Sequence, residues 1–291
     1  MMNKKKTANR IIKAGVAGWP VGHTLSPRLH RYWLKKYHIN GEYNACEVSP
    51  EKLADFIKSL KEQNIKEQNI AGLNLTVPHK EKIFPYLDEI DDMARKIGAV
   101  NTIIINKNRL YGRNTDGYGF LANLKAKAPD WSGDNGPAVV IGAGGAARAV
   151  IVSLLEQGVP EIRLINRTRA RAERLAEIYR DKAIMVCDWQ ERSQKLSDAA
   201  LLVNTTILGM KGQAPLDIDL SRLPLGAVVY DIVYTPLETD LLKQARGRGN
   251  PCVDGLGMLL YQAVPAFQAW FGQEVTVDEK LRHYIISGMG R

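Results

Sequence analysis

The segment VVIGAGGAARA, residues 139–149, decides the predicted fold of this chain. A short apolar run enters a Gly-x-Gly-x-x-Ala turn, and an alanine-rich segment follows it. This order is typical of a strand, a tight turn and a helix that together bind a dinucleotide. Gly142 permits the turn, and Gly144 lets the backbone approach a pyrophosphate, which the free N–H groups of the helix N-terminus can bind. We therefore predict a nucleotide-binding unit around this turn.

The end of the next predicted strand indicates which dinucleotide binds. An Asp or Glu at this position binds the ribose 2′-hydroxyl of NAD, whereas this chain continues INRTRARAER, residues 165–174, with no acid before Glu173. A guanidinium can instead pair with a 2′-phosphate through two hydrogen bonds, so the pattern predicts NADP. For Arg169 and Arg174, a solvated position on a helix surface is an equally good interpretation. The residues expected to bind around the 2′-phosphate are Asn166, Arg167, Thr168, Arg169, Ala170 and Arg171.

Strand and helix patterns alternate on both sides of the turn, which predicts α/β architecture with mainly parallel sheets. The predicted strands are residues 11–17, 42–48, 70–75, 102–105, 138–141, 161–165, 183–187, 201–204 and 227–232. The predicted helices are residues 27–37, 51–60, 170–179, 257–271 and 277–286, together with one that begins at Ala146. The turn-rich residues 128–137 are interpreted as a connector between two α/β units. A tandem pentapeptide, KEQNIKEQNI at residues 61–70, is interpreted as an insertion that lengthens a helix end or a loop.

The composition fits a globular protein of about two domains. The chain has 291 residues, of which 45% are hydrophobic and 24% are charged. Its cysteines, Cys46, Cys187 and Cys252, lie far apart and show no CxxC spacing, so we predict neither a metal site nor disulfides. This cysteine usage is typical of a reducing compartment, and we expect a cytoplasmic protein.

The net charge of +9 suggests a nucleic-acid binder at first sight. No nucleic-acid-binding motif accompanies it, and we interpret the basic leading segment as a solvated tail. The apolar residues 138–155 contain Arg148 and the glycine turn, so they predict a strand and a helix rather than a membrane span. The leading segment contains no acid and supplies five of the positive charges, at Lys4, Lys5, Lys6, Arg10 and Lys13. We therefore expect neither nucleic acid nor membrane as a partner.

Further motifs spread over nearly the whole chain make it resemble the shikimate dehydrogenase family. In chain order, they are HTLSPRLH (23–30), NLTVPHK (74–80), GAVNT (98–102), GRNTDGYGF (112–120), GAGGAARA (142–149), NRT (166–168) and DGLGMLLYQA (254–263). The resemblance implies reversible reduction of 3-dehydroshikimate to shikimate by NADPH, in the pathway to aromatic amino acids. It also implies a discontinuous substrate domain, residues 1–116 with 260–291, and a Rossmann-like NADP-binding domain, residues 117–259.

Lys80 and Asp116 are similar in position to the family's catalytic pair. Hydride transfer to a ketone leaves negative charge on oxygen, which a positioned ammonium can stabilise and protonate. A lysine ammonium carries its proton at neutral pH, so reduction needs no unusual protonation state. The resemblance makes Lys80 the proton donor in reduction, and we interpret Asp116 as an orienting group that also accepts a hydrogen bond from a ring hydroxyl.

The resemblance also marks the residues that bind substrate and cofactor. Two hydroxyls, those of Thr24 and Ser26, are expected to bind the substrate carboxylate. Thr24 departs from the serine usual in the family and Arg31 from its asparagine, which leaves the choice between shikimate and quinate open. Further substrate contacts are expected from Thr76, Asn101, Asp116, Tyr234 and Gln262. Cofactor contacts are expected from Gly142, Ala143, Gly144, Gly145, Ala146, Asn166, Arg167, Thr168, Arg171, Ile232 and Gly255.

Several points stay open in the sequence. We interpret Asn74 as a residue that shapes its loop, and we expect His23, His30 and His79 to form hydrogen bonds in loops, since their spacing fits no standard metal site. A quinate/shikimate dehydrogenase with relaxed choice of substrate or cofactor is the near alternative, and an NADP-sensing regulator without catalysis is a remote one. A homodimer is an expectation that the sequence itself does not test.

Overall fold

The computed structural model describes residues 11–67 and 69–289. The basic residues Lys4, Lys5, Lys6 and Arg10, and Gln68 of the duplication, lie outside the described residues. The chain divides into two compact units. We call Met1–Thr115 with Ala263–Arg291 the first unit, and Asp116–Gln262 the second unit.

The first unit is built on a mixed sheet. Its strands are β1 (Ile12–Gly18), β2 (Gly41–Glu47), β3 (Ile70–Leu75), β4 (Glu89–Ile90), β5 (Thr102–Asn106) and β6 (Arg109–Arg113). Its helices up to residue 115 are α1 (Ser26–Lys36), α2 (Leu53–Glu67), α3 (His79–Lys82) and α4 (Asp92–Ile97). Local sequence sets several helix ends: Pro27 lies in the first turn of α1, and Asp91 caps α4 by accepting a hydrogen bond from Ala94 N at 2.6 Å. As predicted, the duplication lengthens a helix end, because α2 continues to Glu67.

The strand order in this sheet is β2-β1-β3-β5-β6-β4. β1 pairs in parallel with β2 and β3, whereas β5 runs antiparallel to both β3 and β6. β5 and β6 form a hairpin whose two connecting residues, Lys107 and Asn108, have φ values of 47° and 63°. A tight type I′ hairpin turn has positive φ at both of its central residues, as these two have. The apolar side chains of β1, β3 and β5 pack with those of α2 in a buried core.

The second unit contains a fully parallel sheet. Its strands are β7 (Ala138–Ile141), β8 (Ile162–Ile165), β9 (Ile184–Cys187), β10 (Leu201–Asn204), β11 (Val228–Asp231) and β12 (Cys252–Val253), in the order β12-β11-β10-β7-β8-β9. Its helices are α5 (Asp116–Lys127), α6 (Gly145–Glu156), α7 (Arg169–Tyr179), α8 (Asp240–Arg248) and α9 (Gly255–Phe271). Every residue of β7, β10 and β11 is buried, and separate apolar clusters cover the two faces of the sheet. The strand order changes direction between β7 and β10. In parallel sheets of this kind, ligands bind beyond the carboxyl ends of the strands at that point.

The last residues of the chain belong to the first unit. The C-terminal half of α9 leads into α10 (Glu279–Ile286), and two indole N–H groups fix this region. Trp270 Nε1 donates to Ile103 O at 3.0 Å, and Trp33 Nε1 donates to Thr276 O at 3.3 Å. A search of the described residues finds no helix with both the length and the apolar character needed to span a bilayer.

Candidate active site

One edge of the first sheet collects several predicted site residues of the first unit. The parallel strands β1 and β3 end at this edge, and the antiparallel β5 begins there, since Asn74 pairs with Thr102 and Thr102 with Arg113. Loops that follow β1, β3 and β6 and the loop that precedes β5 therefore all lie at the same edge. These loops, with the first residues of the helices α1 and α3, carry Thr24, Ser26, Thr76, Lys80, Asn101 and Thr115.

The two hydroxyls expected to bind a carboxylate lie side by side where α1 begins. Thr24 Oγ1 is 3.2 Å from Ser26 Oγ, and Ser26 N donates to Thr24 Oγ1 at 3.3 Å. Thr24 is half-buried and Ser26 is buried. Two adjacent hydroxyl donors can bind the two oxygens of one carboxylate.

The loop after β3 holds Lys80 beside Asn101. Thr76 N donates to Ala17 O at 3.0 Å, and α3 begins three residues later with the buried His79, whose Nε2 is 2.7 Å from Val48 O. Val100 N donates to Lys80 O at 2.8 Å, which ties the lysine backbone to the residue directly before Asn101. Lys80 is half-buried.

Asn101 is held by a network of hydroxyls and is 2% exposed. Its Oδ1 accepts hydrogen bonds from Thr102 Oγ1 at 3.0 Å and from Thr115 N at 2.9 Å, and its Nδ2 donates to Thr115 Oγ1 at 3.0 Å. Thr115 is followed in the chain by Asp116, which is half-buried and begins α5 in the second unit. The sequence alone did not show that threonines orient Asn101.

In the second unit, the glycine turn has the geometry expected of a pyrophosphate-binding loop. Gly142 has a φ of +111°, and a Cβ built on it would lie 2.5 Å from Thr205 Oγ1, so only glycine fits. A Cβ built on Gly144 or Gly145 would meet no atom within 4 Å, which leaves the N-terminus of α6 open to a ligand. Asn166 Oδ1 accepts a hydrogen bond from Ala143 N at 3.2 Å and so joins the turn to the end of β8. These residues fit a dinucleotide.

The arginines after β8 divide into two groups. Arg169 is paired with two carboxylates: its Nε is 2.8 Å from Glu173 Oε1, and its Nη1 is 2.6 Å from Asp188 Oδ1. This pairing favours the surface interpretation of Arg169. Arg167 and Arg171 are exposed, as are Thr168 and Ala170. Since Arg169 also engages Glu173, the first acid after β8, the basic character of this strand end belongs mainly to Arg167 and Arg171.

The loop after β11 brings two predicted cofactor residues together. A Cβ on Gly255 would lie 2.0 Å from Ile232 O, so glycine is required where α9 begins against this loop. The buried Asp231 anchors the loop, because its carboxylate accepts hydrogen bonds from Val233 N at 3.0 Å, Asn204 Nδ2 at 3.0 Å and Thr239 Oγ1 at 2.7 Å. Burial raises the pKa of Asp231 to about 6.

Tyr234, Asp116 and Gln262 are the predicted substrate residues of the second unit. Tyr234 lies three residues beyond Asp231 in the anchored loop, and burial raises its pKa. Asp116 and Gln262 lie on α5 and α9, which approach closely at Gly119, where a Cβ would be 2.7 Å from both Met258 O and Gln262 Cβ. Asn123 of α5 strengthens this contact by donating to Asp254 O and to Tyr230 Oη, both at 2.8 Å.

The prediction for His30 was wrong. This histidine lies in α1, not in a loop, and it is completely buried. Within the described residues neither of its ring nitrogens has a hydrogen-bond partner. Its ring stacks on Tyr43 and packs beside Trp270, and burial lowers its pKa to about 3. The helical spacing of Leu29, Trp33 and Leu34 was the signal that this position faces the core.

The fold and the site define an oxidoreductase that uses a dinucleotide cofactor. Family profiles match three parts of the chain: "Shikimate dehydrogenase substrate binding domain" at residues 16–103, "Shikimate / quinate 5-dehydrogenase" at 124–208, and "Shikimate 5'-dehydrogenase C-terminal domain" at 255–279. A protein of Paramagnetospirillum magneticum named shikimate dehydrogenase (NADP(+)) is 54% identical over 94% of this chain and 98% of its own length.

Solved structures agree with this assignment. Shikimate 5-dehydrogenase from Thermus thermophilus, in complex with NADP(H) and shikimate, is 34% identical with a TM-score of 0.82, covering 95% of this chain and 99% of that one. Quinate dehydrogenase from Corynebacterium glutamicum, in complex with NAD, is 30% identical with a TM-score of 0.86, covering 96% of this chain and 100% of that one. This chain belongs to the shikimate dehydrogenase family.

Proposed function

We propose that this chain is an NADP-dependent shikimate dehydrogenase, which reversibly reduces 3-dehydroshikimate to shikimate. Family membership supports the reaction, since the similar protein from Paramagnetospirillum magneticum carries that name. The observation that carries the proposal is the hydrogen bond from Val100 N to Lys80 O at 2.8 Å. It fixes a half-buried lysine beside Asn101, at the sheet edge that also carries the Thr24–Ser26 hydroxyl pair.

The residues at this edge can hold and protonate a hydroxylated cyclohexene carboxylate. Thr24 and Ser26 bind the carboxylate, while Thr76 and Asn101 bind ring hydroxyls. The Lys80 ammonium stabilises the negative charge that develops on the carbonyl oxygen and donates its proton there. Asp116 serves as the orienting group and accepts a hydrogen bond from a ring hydroxyl, and Tyr234 and Gln262 are further substrate-binding residues.

NADP is the cofactor, and NADPH supplies the hydride when it is bound. The N-terminus of α6 and the glycine turn bind its pyrophosphate, while Arg167 and Arg171 bind its 2′-phosphate through charged hydrogen bonds. Arg169 contributes less, because two carboxylates already engage it. Ile232 and Gly255 form the remaining cofactor contacts from the loop after β11 and the start of α9.

We also propose the domain bounds that the resemblance implies. Residues 1–116 with 260–291 form the substrate domain, and residues 117–259 form the NADP-binding domain. We also propose a cytoplasmic homodimer, which sedimentation equilibrium of the purified full chain would test by giving twice the chain mass. A mass equal to one chain would contradict the dimer.

The test of the function is the reduction of 3-dehydroshikimate by the purified chain with NADPH, followed by product analysis. We expect shikimate to form with one NADPH oxidised per molecule. Tight NADPH binding without any reduction of 3-dehydroshikimate would contradict the proposal and would favour an NADP-sensing protein.

A further inference from the structure

Asn204, the last residue of β10, is completely buried and uses its whole side chain in hydrogen bonds. Its Oδ1 accepts from Thr206 N at 3.0 Å and from Thr206 Oγ1 at 2.7 Å. Its Nδ2 donates to Leu208 O and to Asp231 Oδ1, both at 3.0 Å. An amide has two donors and two acceptor lone pairs, so the side chain is fully satisfied in this arrangement. Asn204 therefore shapes the loop that follows it and ties that loop to the end of β11.

The backbone of Asn204 holds the loop after β11 at a second point, because Ile232 N donates to Asn204 O at 3.1 Å. Asp231 Oδ1 also accepts from Val233 N at 3.0 Å, so three consecutive residues of this loop are held. Thr239 Oγ1 donates to Asp231 Oδ2 at 2.7 Å and so engages the other oxygen of the carboxylate. The position of Ile232 thus depends on Asn204 and on the carboxylate that Asn204 binds.

The next residue, Thr205, connects the loop after β10 to the glycine turn. Thr205 N and Thr205 Oγ1 both donate to Ile141 O, at 2.8 and 2.7 Å. The Thr205 hydroxyl also occupies the space that a Cβ on Gly142 would need, at 2.5 Å. Asn204 and Thr205 together therefore link the glycine turn to the loop after β11, and every contact in this link lies within the second unit.

The order of the strands assigns the two halves of a dinucleotide to different loops. β8, β7, β10 and β11 are consecutive neighbours in the sheet. The proposed 2′-phosphate residues follow β8, and the proposed pyrophosphate loop follows β7. The loops after β10 and β11 continue in the same direction, so they are the ones available to the nicotinamide half. We call them, residues 205–210 and 232–236, the nicotinamide-side loops.

We propose that Asn204 is a positioning residue that sets the nicotinamide-side loops relative to the glycine turn. The inference rests on the proposed function, in which the glycine turn binds the pyrophosphate and Ile232 contacts the cofactor. Asn204 acts through these loops, since its own amide is fully used inside the protein. Without its side chain, the loop after β10 loses three hydrogen bonds and Asp231 loses one of its donors.

The test is Asn204→Ala, with Asn250→Ala as its matched control. Asn250 is also a buried asparagine of the second unit, and its Nδ2 donates to Pro224 O, Leu225 O and Ala227 O. It lies before β12, at the opposite edge of the parallel sheet. Its loss should therefore lower stability without moving the proposed cofactor residues. Urea unfolding compares the stability of the two variants.

Two ligands separate the halves of the cofactor: adenosine 2′,5′-bisphosphate lacks nicotinamide, whereas NADPH carries it. We expect Asn204→Ala to weaken NADPH binding by about 3- to 10-fold, and binding of the bisphosphate by less than about twofold. Its kcat for 3-dehydroshikimate should fall by about 5- to 50-fold, because hydride transfer requires close alignment of donor and acceptor. Asn250→Ala should keep both affinities and kcat within about twofold of the wild type, since distant sites act independently.

Three results would overturn the inference. The first is an equal loss of affinity for NADPH and the bisphosphate in Asn204→Ala, and the second is the same loss of kcat in Asn204→Ala and Asn250→Ala. Both would mean that Asn204 only supports the fold. The third is a folded Asn204→Ala protein with the NADPH affinity and kcat of the wild type.

A second variant keeps the inference testable if Asn204→Ala does not fold. Thr239→Val keeps the shape of the side chain but removes the hydroxyl that donates to Asp231, and Thr239→Ser retains that hydroxyl. Thr239→Val should weaken NADPH binding more than bisphosphate binding, and Thr239→Ser should restore the wild-type values. Unchanged NADPH affinity in a folded Thr239→Val protein would contradict the inference. If the wild type binds NADPH without reducing 3-dehydroshikimate, the proposed function fails, and the two affinities still decide the role of Asn204.

Discussion

At the residue scale, Lys80 is the position on which the proposed chemistry depends most. We expect Lys80→Ala to lower kcat by about 10²- to 10⁴-fold, the usual effect of losing a positioned proton donor. Its affinity for NADPH should stay close to that of the wild type, because the proposed cofactor residues lie elsewhere. Steady-state kinetics and fluorescence titration with NADPH measure the two quantities. The exposed Lys82, two residues further along the chain, offers a matched control in Lys82→Ala. Wild-type turnover by the Lys80 variant would contradict the mechanism.

Arg167 tests the proposed recognition of the 2′-phosphate. Arg167→Ala should weaken NADPH binding by about 1.5 to 3 kcal/mol, because a charged hydrogen bond is lost, whereas NADH binding should change much less. Arg174→Ala is a suitable control, since Arg174 is also exposed but lies further along α7. Isothermal titration with both cofactors gives the comparison. Equal losses for NADPH and NADH would mean that Arg167 does not read the 2′-phosphate.

His30 makes stability depend on pH. Burial lowers its folded-state pKa to about 3, whereas an unfolded histidine titrates near 6.5. The free energy of unfolding is therefore at its full value above pH 6.5, and it falls as the pH is lowered toward 3, because only the unfolded histidine binds a proton in this range. Between pH 7.5 and pH 5, this single group should reduce the free energy of unfolding by about 2 kcal/mol. His30→Phe should remove that part of the decline in urea titrations, and a variant with the wild-type pH dependence would show that His30 is not buried as a neutral ring.

At the element scale, the turn between β7 and α6 can be tested with two glycines. Gly142→Ala forces a side chain into a φ of +111° and against Thr205, so it should cost about 1 to 3 kcal/mol of stability. Gly144→Ala meets no atom within 4 Å, so the fold should be retained while the new methyl group obstructs the pyrophosphate. Urea unfolding and NADPH titration of both variants separate the two effects. Loss of stability in Gly144→Ala, or its absence in Gly142→Ala, would contradict this account of the turn.

Asp231 anchors the loop after β11 and should have a pH effect of the opposite sign. Its pKa is raised to about 6, above the value near 3.9 of an unfolded aspartate. The stabilisation is fully present below pH 3.9 and is lost as the pH rises through about 6. When the pH is lowered from 7 to 5, this group should raise the free energy of unfolding of the wild type by about 1.5 kcal/mol. Asp231→Asn should lack that gain. An Asn variant with the wild-type pH profile would contradict the assignment.

The sequence predicted buried elements better than exposed ones. β3, β7 and β10 have the predicted bounds, because each is a short, mainly apolar run between turn residues. β6 was missed because its RLYGR sequence alternates weakly, although Lys107 and Asn108 form the tight turn before it. The antiparallel direction of β5 was missed with it, since direction depends on the partner strand. α5 was missed because its glycines weaken the helical pattern of the sequence. Close packing against α9 requires one of them, Gly119.

The sequence also predicted site residues unevenly. Lys80, Asn101 and the glycine turn lie in short motifs, so the resemblance could mark them one by one. The hydrogen bond from Tyr43 Oη to Asn74 Oδ1 could not be found in this way, because the two residues are distant in the chain. Asp231 was missed for the same reason: an acid at a strand end reveals its role only when three donors surround it.

At the scale of the whole molecule, each unit carries one half of the proposed chemistry. The first unit supplies Lys80 and the Thr24–Ser26 hydroxyl pair, and the second supplies the glycine turn and the arginines after β8. We expect Thr24 to bear on substrate choice, because its methyl group adds volume beside the hydroxyl that is proposed to bind the carboxylate.

The most direct test of the central claim is a steady-state assay of the full chain with shikimate and quinate, each with NADP and with NAD. We predict the highest kcat/KM for shikimate with NADP, a marked loss when NAD replaces NADP, and little turnover of quinate. A kcat/KM for quinate with NAD that equals or exceeds the value for shikimate with NADP would contradict the claim.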